Sequence, residues 1–199
     1  MTDITPFLKS LISVAGLSGY ETPVADLIKK KWTPLVDNLT ESRLASIHGL
    51  KVGSAPSTKK LADKSPRPSV LIATHMDAIG LMVSRIVDGF LYVTNIGGID
   101  SRVLPGTPVM VHASGTNEEL YGVIVMPASN LLPDGEGGGV IDLKYLLIDM
   151  GLTANEVAKK VRVGDRVSFD TEPIEMAGGY LSGHTLDNRA SVAALTICL

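Results

Sequence analysis

The stretch Ser69-Val70-Leu71-Ile72-Ala73-Thr74-His75-Met76-Asp77-Ala78-Ile79-Gly80 decides the fold assignment. Its apolar run from Val70 to Ala73 is followed at once by polar residues, which is typical of a strand buried on both faces of a parallel sheet. In open α/β sheets, ligands and catalytic groups collect just past the carboxyl ends of such strands. His75 and Asp77 lie there, and an extended backbone would point both side chains to one side. A histidine beside a carboxylate is the basic unit of a metal site or an acid–base site.

Each of these side chains also has a plain structural explanation. A histidine at the end of a strand can simply hydrogen-bond to the backbone, and for a lone histidine this explanation is the better one. Asp77 and the position past a strand end leave both explanations of His75 open. Asp187, near the end of the sequence, suits the N-cap of a final helix as well as a carboxylate directed at a cation.

Other motifs are weaker candidates. His184 lies three residues before Asp187, but nothing in the sequence fixes its direction. His48 and His112 lie in strand patterns without neighbouring carboxylates, so we interpret both as structural. A serine nucleophile has little support, because no Gly-x-Ser-x-Gly elbow occurs. The glycine-rich run 134–139 lacks the lysine of a phosphate-binding loop and is predicted to be a mobile hairpin loop.

Length and composition indicate an ordinary globular protein. The 199 residues are 45% hydrophobic and 20% charged, and they suit one good-sized domain or one domain with an insertion. The net charge of −3 argues against nucleic acid or an anionic membrane as a partner. The single cysteine, Cys198, excludes a disulfide framework and a thiolate metal cluster. Because we find no leader and no stretch of transmembrane length, we expect a soluble, cytoplasmic protein.

The first part of the chain alternates between helix and strand patterns. Thr5-Pro6 and Thr22-Pro23 predict the starts of two amphipathic helices, with threonine as N-cap and proline at the first helical position. Short strands are predicted over 36–52, and an exposed, proline-rich loop over 54–68. Two helices followed by the buried strand at 70–73 indicate an α/β layered lobe.

After Gly80 the pattern changes to a meander of short strands. Predicted strands cover 81–86, 90–95, 107–113, 119–126 and 166–170, with turns at Asp88-Gly89 and 114–117 and one helix from Thr153 to Val161. This spacing predicts a small barrel or sandwich. We therefore divide the chain into a first lobe segment, 1–79, a β-rich insertion, 80–173, and a second lobe segment, 174–199.

A last helix is predicted from about Asp187 onward. It is apolar nearly all round, so we expect it to be buried. Leu199 falls in mid-pattern, without a C-cap glycine or a polar close. This suggests that the natural sequence continues past Leu199 and that the lobe is incomplete.

Five stretches together resemble one family, the dinuclear metallo-aminopeptidases that include glutamyl aminopeptidase and the tetrahedral aminopeptidases. In chain order they are Gly16-Leu17-Ser18-Gly19-Tyr20-Glu21, Thr74-His75-Met76-Asp77 with Ile79-Gly80, Ile96-Gly97-Gly98-Ile99-Asp100-Ser101-Arg102-Val103, Leu146-Leu147-Ile148-Asp149-Met150-Gly151 and Leu186-Asp187-Asn188-Arg189-Ala190. Each stretch is weak by itself, whereas five in the family's order and spacing are specific. The chain is similar to the amino-terminal portion of this family.

The resemblance implies a catalytic α/β lobe of the zinc-exopeptidase type, interrupted by a β-barrel-like insertion used for dimer contacts. It implies that His75 binds one metal ion, that Asp77 supports His75 from behind, and that Asp187 bridges two divalent ions, zinc or cobalt. It also implies a cis peptide between Asp187 and Asn188. The expected partners are a peptide substrate and further copies of the chain, from a dimer to a dodecamer.

The chain departs from the family pattern at two positions and lacks the family's later residues. Many relatives carry glutamate at the position of Ala78 and aspartate at that of Asn188. We expect these changes to alter contacts around the metal ligands without abolishing metal binding. The family's general-base glutamate, remaining carboxylate ligands and final histidine lie beyond Leu199, so residues 1–199 alone are expected to be inactive.

Three functions are open from the sequence. The first is a metal-dependent aminopeptidase that removes amino-terminal residues from peptides through a metal-activated water. The second is a glycosidase, following the cellulase-like name that some relatives have carried. That chemistry needs two carboxylates flanking a sugar site, for which Asp77 and Asp187 are poor candidates. The third is a non-catalytic assembly module, in which the β-rich insertion mediates oligomerisation.

Overall fold

The computed structural model describes residues 3–54, 68–133 and 139–199. Its helices are α1 (Thr5–Ser13), α2 (Thr22–Trp32), α3 (Ala154–Lys160) and α4 (Leu186–Cys198). Its strands are β1 (Asn38–Glu41), β2 (Ile47–Leu50), β3 (Gly80–Val87), β4 (Phe90–Ile96), β5 (Pro108–Ala113), β6 (Glu118–Val125), β7 (Leu147–Asp149), β8 (Arg166–Phe169), β9 (Ile174–Met176) and β10 (Tyr180–Ser182). Most of the loop predicted over 54–68 and of the glycine-rich run 134–139 lies outside the described residues.

Six strands close into an antiparallel barrel in the order β3-β4-β7-β6-β5-β8. Alternating side chains fill it, because successive residues of a strand point to opposite faces. The buried residues of this core include Leu81, Val83, Leu91, Val109, Val111, Ile124, Ile148 and Val167. Helix α3 adds Val157 to the same core, and its start is fixed by a capping box between Thr153 and Glu156. The predicted small barrel is confirmed, although β7 was not predicted as a strand.

A second, smaller core lies between helices α1, α2 and α4. Its buried residues are Leu11, Val24, Ile28, Trp32, Val192 and Ala193. The indole Nε1 of Trp32 donates a hydrogen bond of 2.8 Å to Thr196 Oγ1, which ties α2 to α4. Two hairpins, β1–β2 and β9–β10, complete the described part outside the barrel. The first of them confirms the short strands predicted over 36–52.

The prediction of a buried strand at Val70–Ala73 is wrong. These residues form no strand, and the side chains of Val70 and Leu71 are 87% and 93% exposed. A strand needs hydrogen-bonded neighbours, and among the described residues none pairs with this segment. The nearby bridge is a parallel one between Leu17 and Ala78. The chain therefore combines helices with a barrel, and no buried parallel sheet is found in the described ranges.

Three helix details also differ from prediction. Ile4 and Glu21 are the N-cap residues of α1 and α2, so Thr5 and Thr22 are the first residues of their helices. Helix α4 is buried along the face that packs against α1 and α2, whereas Ile197 on another face is 60% exposed. Across the described ranges, no helix has both the length and the apolar character required to cross a membrane.

Candidate metal centre

His75, Asp77 and Asp187 lie together beside the first turn of α4. His75 Nδ1 is 3.0 Å from Asp77 Oδ1, and His75 Nε2 is 3.1 Å from Asp187 Oδ1. The side chain of Asp187 is 95% exposed and that of His75 is 55% exposed. The structure thus brings the three sequence-predicted residues into one solvent-accessible group, with the imidazole between two carboxylates.

The atoms that meet at His75 are suited to a cation. When Nδ1–H donates to Asp77, Nε2 presents its lone pair to a carboxylate oxygen of Asp187. Two acceptor atoms at 3.1 Å need a proton or a metal ion between them. Imidazole nitrogen and carboxylate oxygen are ligands that zinc and cobalt accept. Because no group of three or more His, Cys, Asp or Glu side chains in the described ranges is arranged to hold a metal, this pair supplies only part of a ligand set.

Ser18 supports Asp77 and was given no role in the sequence analysis. Its hydroxyl donates a short hydrogen bond to Asp77 Oδ2. This bond, assisted by the one from His75, lowers the pKa of Asp77. Asp77 is therefore ionised at neutral pH and is a good acceptor for the imidazole N–H. The loop of Ser18 is itself held by Ala78, whose N–H donates to Gly16 O at 2.8 Å.

The backbone around Asp187 is irregular where α4 begins. Thr185 has a φ of 68°, and Asp187 has the non-helical φ and ψ of −85° and 104°. The Asp187–Asn188 peptide is cis, as the family resemblance implied. Within this irregular start, Asp187 Oδ1 lies 3.1 Å from His75 Nε2. The two departures from the family pattern, Ala78 and Asn188, both adjoin the site residues, and Ala78 is buried.

The other histidines lie elsewhere. His184 packs edge-on against Phe169, with ring centroids 5.1 Å apart, and burial lowers the pKa of His184. His48 is exposed on β2.

His112 has a carboxylate neighbour after all. The pairing of β5 with β6 places Glu119 opposite it, with Oε1 at 3.4 Å from His112 Nδ1. Its Nε2 lies 2.9 Å from Ser168 Oγ. The prediction that His112 has no neighbouring carboxylate is therefore wrong. Glu119 is seven residues away in the sequence, and the pairing of β5 with β6 brings it close.

A long groove runs away from His75. It has a volume of about 1280 Å³ and follows the extended segment 68–74 toward β2. Its walls include apolar side chains of segment 68–74 and of α4, among them Leu71 and Leu195. His75 and Asp77 also line this groove.

Comparison with known proteins identifies relatives. A family model described as M42 glutamyl aminopeptidase matches residues 53–199. The chain is 30% identical over 195 residues to lysyl aminopeptidase of Pyrococcus furiosus, covering 94% of this chain and 52% of that protein. The chain spans about half the length of the curated relatives it matches.

Solved structures give the same result. A TET aminopeptidase from the archaeon Thaumarchaeota archaeon SCGC AB-539-E09 has a TM-score of 0.84 at 26% identity, covering 98% of this chain and 52% of that one. The TET1 peptidase of Pyrococcus horikoshii, described as assembling into a tetrahedron or a large octahedral shell, has a TM-score of 0.76 at 27% identity, covering 98% and 55%. A Thermotoga maritima protein named endoglucanase has a TM-score of 0.72 at 34% identity, covering 96% and 52%. Since the family model matches more than half of the chain, the protein belongs to the M42 glutamyl aminopeptidase family.

Proposed function

We propose that the protein is a metal-dependent aminopeptidase that removes residues from the amino terminus of peptides. The observation that carries the proposal is the convergence of His75 Nε2 and Asp187 Oδ1, 3.1 Å apart, in a chain of the M42 glutamyl aminopeptidase family. The exposure of both side chains supports it, because a metal ion and a substrate can reach the pair.

His75 and Asp187 would hold the metal. Asp77 accepts the Nδ1 proton of His75, which orients the ring and leaves Nε2 free to bind. The carboxylate of Asp187 has two oxygens and can give one to each of two divalent ions, zinc or cobalt. Such ions, when bound, lower the pKa of a water molecule and polarise a peptide carbonyl.

We further propose that the helices and segment 68–79 belong to a lobe of the zinc-exopeptidase type, with the barrel, within 80–173, as an insertion that contacts further copies of the chain. The outer face of β6 supports this, because Tyr121 and Val123 are 68% and 42% exposed there. The shell formed by the related TET1 peptidase supports assembly from a dimer up to a dodecamer. Light scattering of the purified protein tests this, and a monomer at micromolar concentration would contradict it.

Residues 1–199 by themselves are expected to be inactive. A zinc ion in a protein takes about four ligands, and the described residues bring only His75 and Asp187 together for this purpose. Two ligands give weak metal binding, so efficient peptide hydrolysis needs additional ligands.

The test is peptide hydrolysis by the protein expressed from its whole reading frame, with residues 1–199 assayed in parallel. We expect release of free amino acids from short peptides, loss of activity after EDTA treatment, and recovery with zinc or cobalt. Peptides with an acetylated amino terminus serve as the control and should not be cleaved. Hydrolysis that is insensitive to EDTA would contradict the proposal, as would equal cleavage of acetylated peptides.

The two other functions are not favoured. In a glycosidase the two carboxylates flank a sugar site, whereas Asp77 and Asp187 here contact opposite nitrogens of one imidazole. An assembly module would oligomerise without binding metal, so a stable oligomer with no affinity for zinc or cobalt would point to that function.

A further inference from the structure

Arg189 is a fully buried arginine that lies two residues after Asp187 in α4. Its Nε donates a hydrogen bond of 2.8 Å to the Met76 carbonyl. Its Nη1 donates to the carbonyls of Leu11 and Val14, the latter at 2.6 Å. These bonds join α4 both to the end of α1 and to the short segment that carries the other site residues.

The charge of this side chain is unusual for its position. Burial lowers the pKa of Arg189 to about 10, while the nearby Asp77 carboxylate opposes this shift. The guanidinium is therefore still a cation at neutral pH. A buried charge is costly, and an apolar side chain of similar volume often stabilises a protein as well or better. What arginine adds is a planar fork of donors aimed at fixed carbonyls.

The guanidinium is also packed tightly against the loop that follows α1. A Cβ atom built on Gly16 would lie 2.5 Å from Arg189 Nη2. That loop continues to Ser18, whose hydroxyl holds Asp77. Arg189 thus packs against the loop that carries Ser18, while the peptide chain links it to Asp187 directly.

We propose that Arg189 is the positioning residue of the His75–Asp187 pair. By holding the carbonyl of Met76, the residue next to His75, it sets how far the imidazole stands from the start of α4. The role in metal binding that follows from this geometry rests on the proposed function. Arg189 itself lies behind the pair, fully buried, and acts through it.

The test uses Arg189→Lys and Arg189→Met in the protein expressed from its whole reading frame. Lysine keeps the positive charge but lacks the planar set of N–H donors of the guanidinium, and methionine lacks both. We expect the dissociation constant for Co²⁺ to rise roughly ten- to a hundredfold in each variant, as is usual when a support behind a ligand is removed. Crystal structures of the variants should show the distance from His75 Nε2 to Asp187 Oδ1 changed by about 1 Å, a displacement that impairs designed sites.

Thr196→Val is the matched control. Thr196 is also buried in α4, and its substitution removes the hydrogen bond from Trp32 without touching the site. We expect a lower melting temperature with an unchanged Co²⁺ dissociation constant. A purely structural role for Arg189 would give its variants this same pattern and would overturn the proposal.

Two further outcomes are also decisive. If both arginine variants fail to fold, Gly16→Ala takes their place, because its methyl group displaces Nη2, together with Val24 Cγ1, while the guanidinium is retained. An unchanged Co²⁺ dissociation constant in Gly16→Ala would then overturn the proposal. If the unsubstituted protein binds no metal, the proposed function fails, and the His75–Asp187 distance in the variant structures decides the positioning role alone. An unchanged distance there overturns it.

Discussion

His75 Nε2 lies 3.1 Å from Asp187 Oδ1, although 112 positions of sequence separate the two residues. Local chain geometry cannot produce such a contact. It depends on how the first turn of α4 is held against the segment around Met76, where Arg189 Nε donates to the Met76 carbonyl. The geometry of this pair therefore reports on the anchoring of the start of α4.

Removing either member of the pair should abolish tight metal binding by the protein expressed from its whole reading frame. We expect His75→Ala and Asp187→Asn to raise the Co²⁺ dissociation constant by more than about a hundredfold, because loss of a ligand exceeds loss of a support behind it. His48→Ala, which removes an exposed histidine on β2, is the control and should bind as the unsubstituted protein does. Titration with a competing chelator measures the constants. Equal affinity in His75→Ala and His48→Ala would remove His75 from the ligand set.

Ser18→Ala should change the dependence of stability on pH. The Ser18 hydroxyl lowers the pKa of Asp77 below its usual 3.8. A carboxyl whose pKa is lower in the folded state stabilises the fold above its unfolded pKa, and this contribution is lost as the pH falls through the folded pKa. We therefore expect Ser18→Ala to reduce the free energy of unfolding by about 1 kcal/mol at about pH 7, with the difference shrinking below about pH 3.

Urea unfolding across this pH range measures the effect of Ser18→Ala. Ser10→Ala is the control, because the exposed Ser10 hydroxyl donates within α1, to the carbonyl of Phe7, and is not near Asp77. A difference between Ser18→Ala and the unsubstituted protein that stays constant with pH would show that the hydroxyl acts independently of the Asp77 charge.

The Trp32–Thr196 bond should be measurable as a coupling between two helices. Trp32 Nε1 donates to Thr196 Oγ1 at 2.8 Å in a buried environment. We expect Thr196→Val to lower the free energy of unfolding by about 1 kcal/mol. Trp32→Phe and the double variant complete a thermodynamic cycle, with an expected coupling of about 0.5–3 kcal/mol. A coupling of zero would mean that the bond does not contribute.

The barrel core should be sensitive to truncation. Ile148 on β7 is fully buried among the barrel residues. Ile148→Ala is expected to lower the free energy of unfolding by about 2–5 kcal/mol through lost burial and a residual cavity. Thr94→Ala, at an exposed position of the neighbouring strand β4, should change it by no more than about 0.5 kcal/mol. Denaturant unfolding of both variants makes the comparison, and similar losses would contradict the assigned core.

The exposed apolar segment gives a contrasting expectation. Leu71 is 93% exposed, so Leu71→Ser in residues 1–199 should change the free energy of unfolding by less than about 0.5 kcal/mol. Leu11→Ser, at a fully buried position of the helical core, should cause a large loss. A loss of several kcal/mol in Leu71→Ser would show that another polypeptide covers this segment.

Local sequence patterns, such as turn residues and alternating apolar residues, predicted most of the barrel. Predictions failed where the structure depends on which strands pair, because local patterns do not contain that information. The hairpin at Asp88-Gly89 was predictable because both residues take positive φ, 50° and 88°, as two-residue hairpin turns require. Strand β7 is only three residues long, which is too short to show the alternation of apolar and polar residues that predicts a strand. The apolar run Val70–Ala73 was predicted to be a buried strand because apolar residues prefer burial. Their apolar character does not indicate whether a neighbouring strand is present to pair with them.

The candidate site was predictable in part for a similar reason. The spacing of His75 and Asp77 is a local pattern, and Asp187 was a candidate from its place before the last helix, whereas its pairing with His75 was implied by the family resemblance. Ser18 and Arg189 were quoted within the resembling stretches without a role. Arg189 donates to backbone carbonyls, which every residue has. Its partners therefore cannot be predicted from the side chains in the sequence.

The first and last strands of the barrel are neighbours, with Leu81 of β3 paired to Val167 of β8. The chain therefore enters and leaves the barrel at points about 4.8 Å apart, the spacing of adjacent strands. A linker of a few residues is long enough to span that gap. The two chain ends thus meet the geometric condition for joining the flanking segments without the barrel, and a variant with residues 80–169 replaced by a short glycine-rich linker would show whether the helices fold without it.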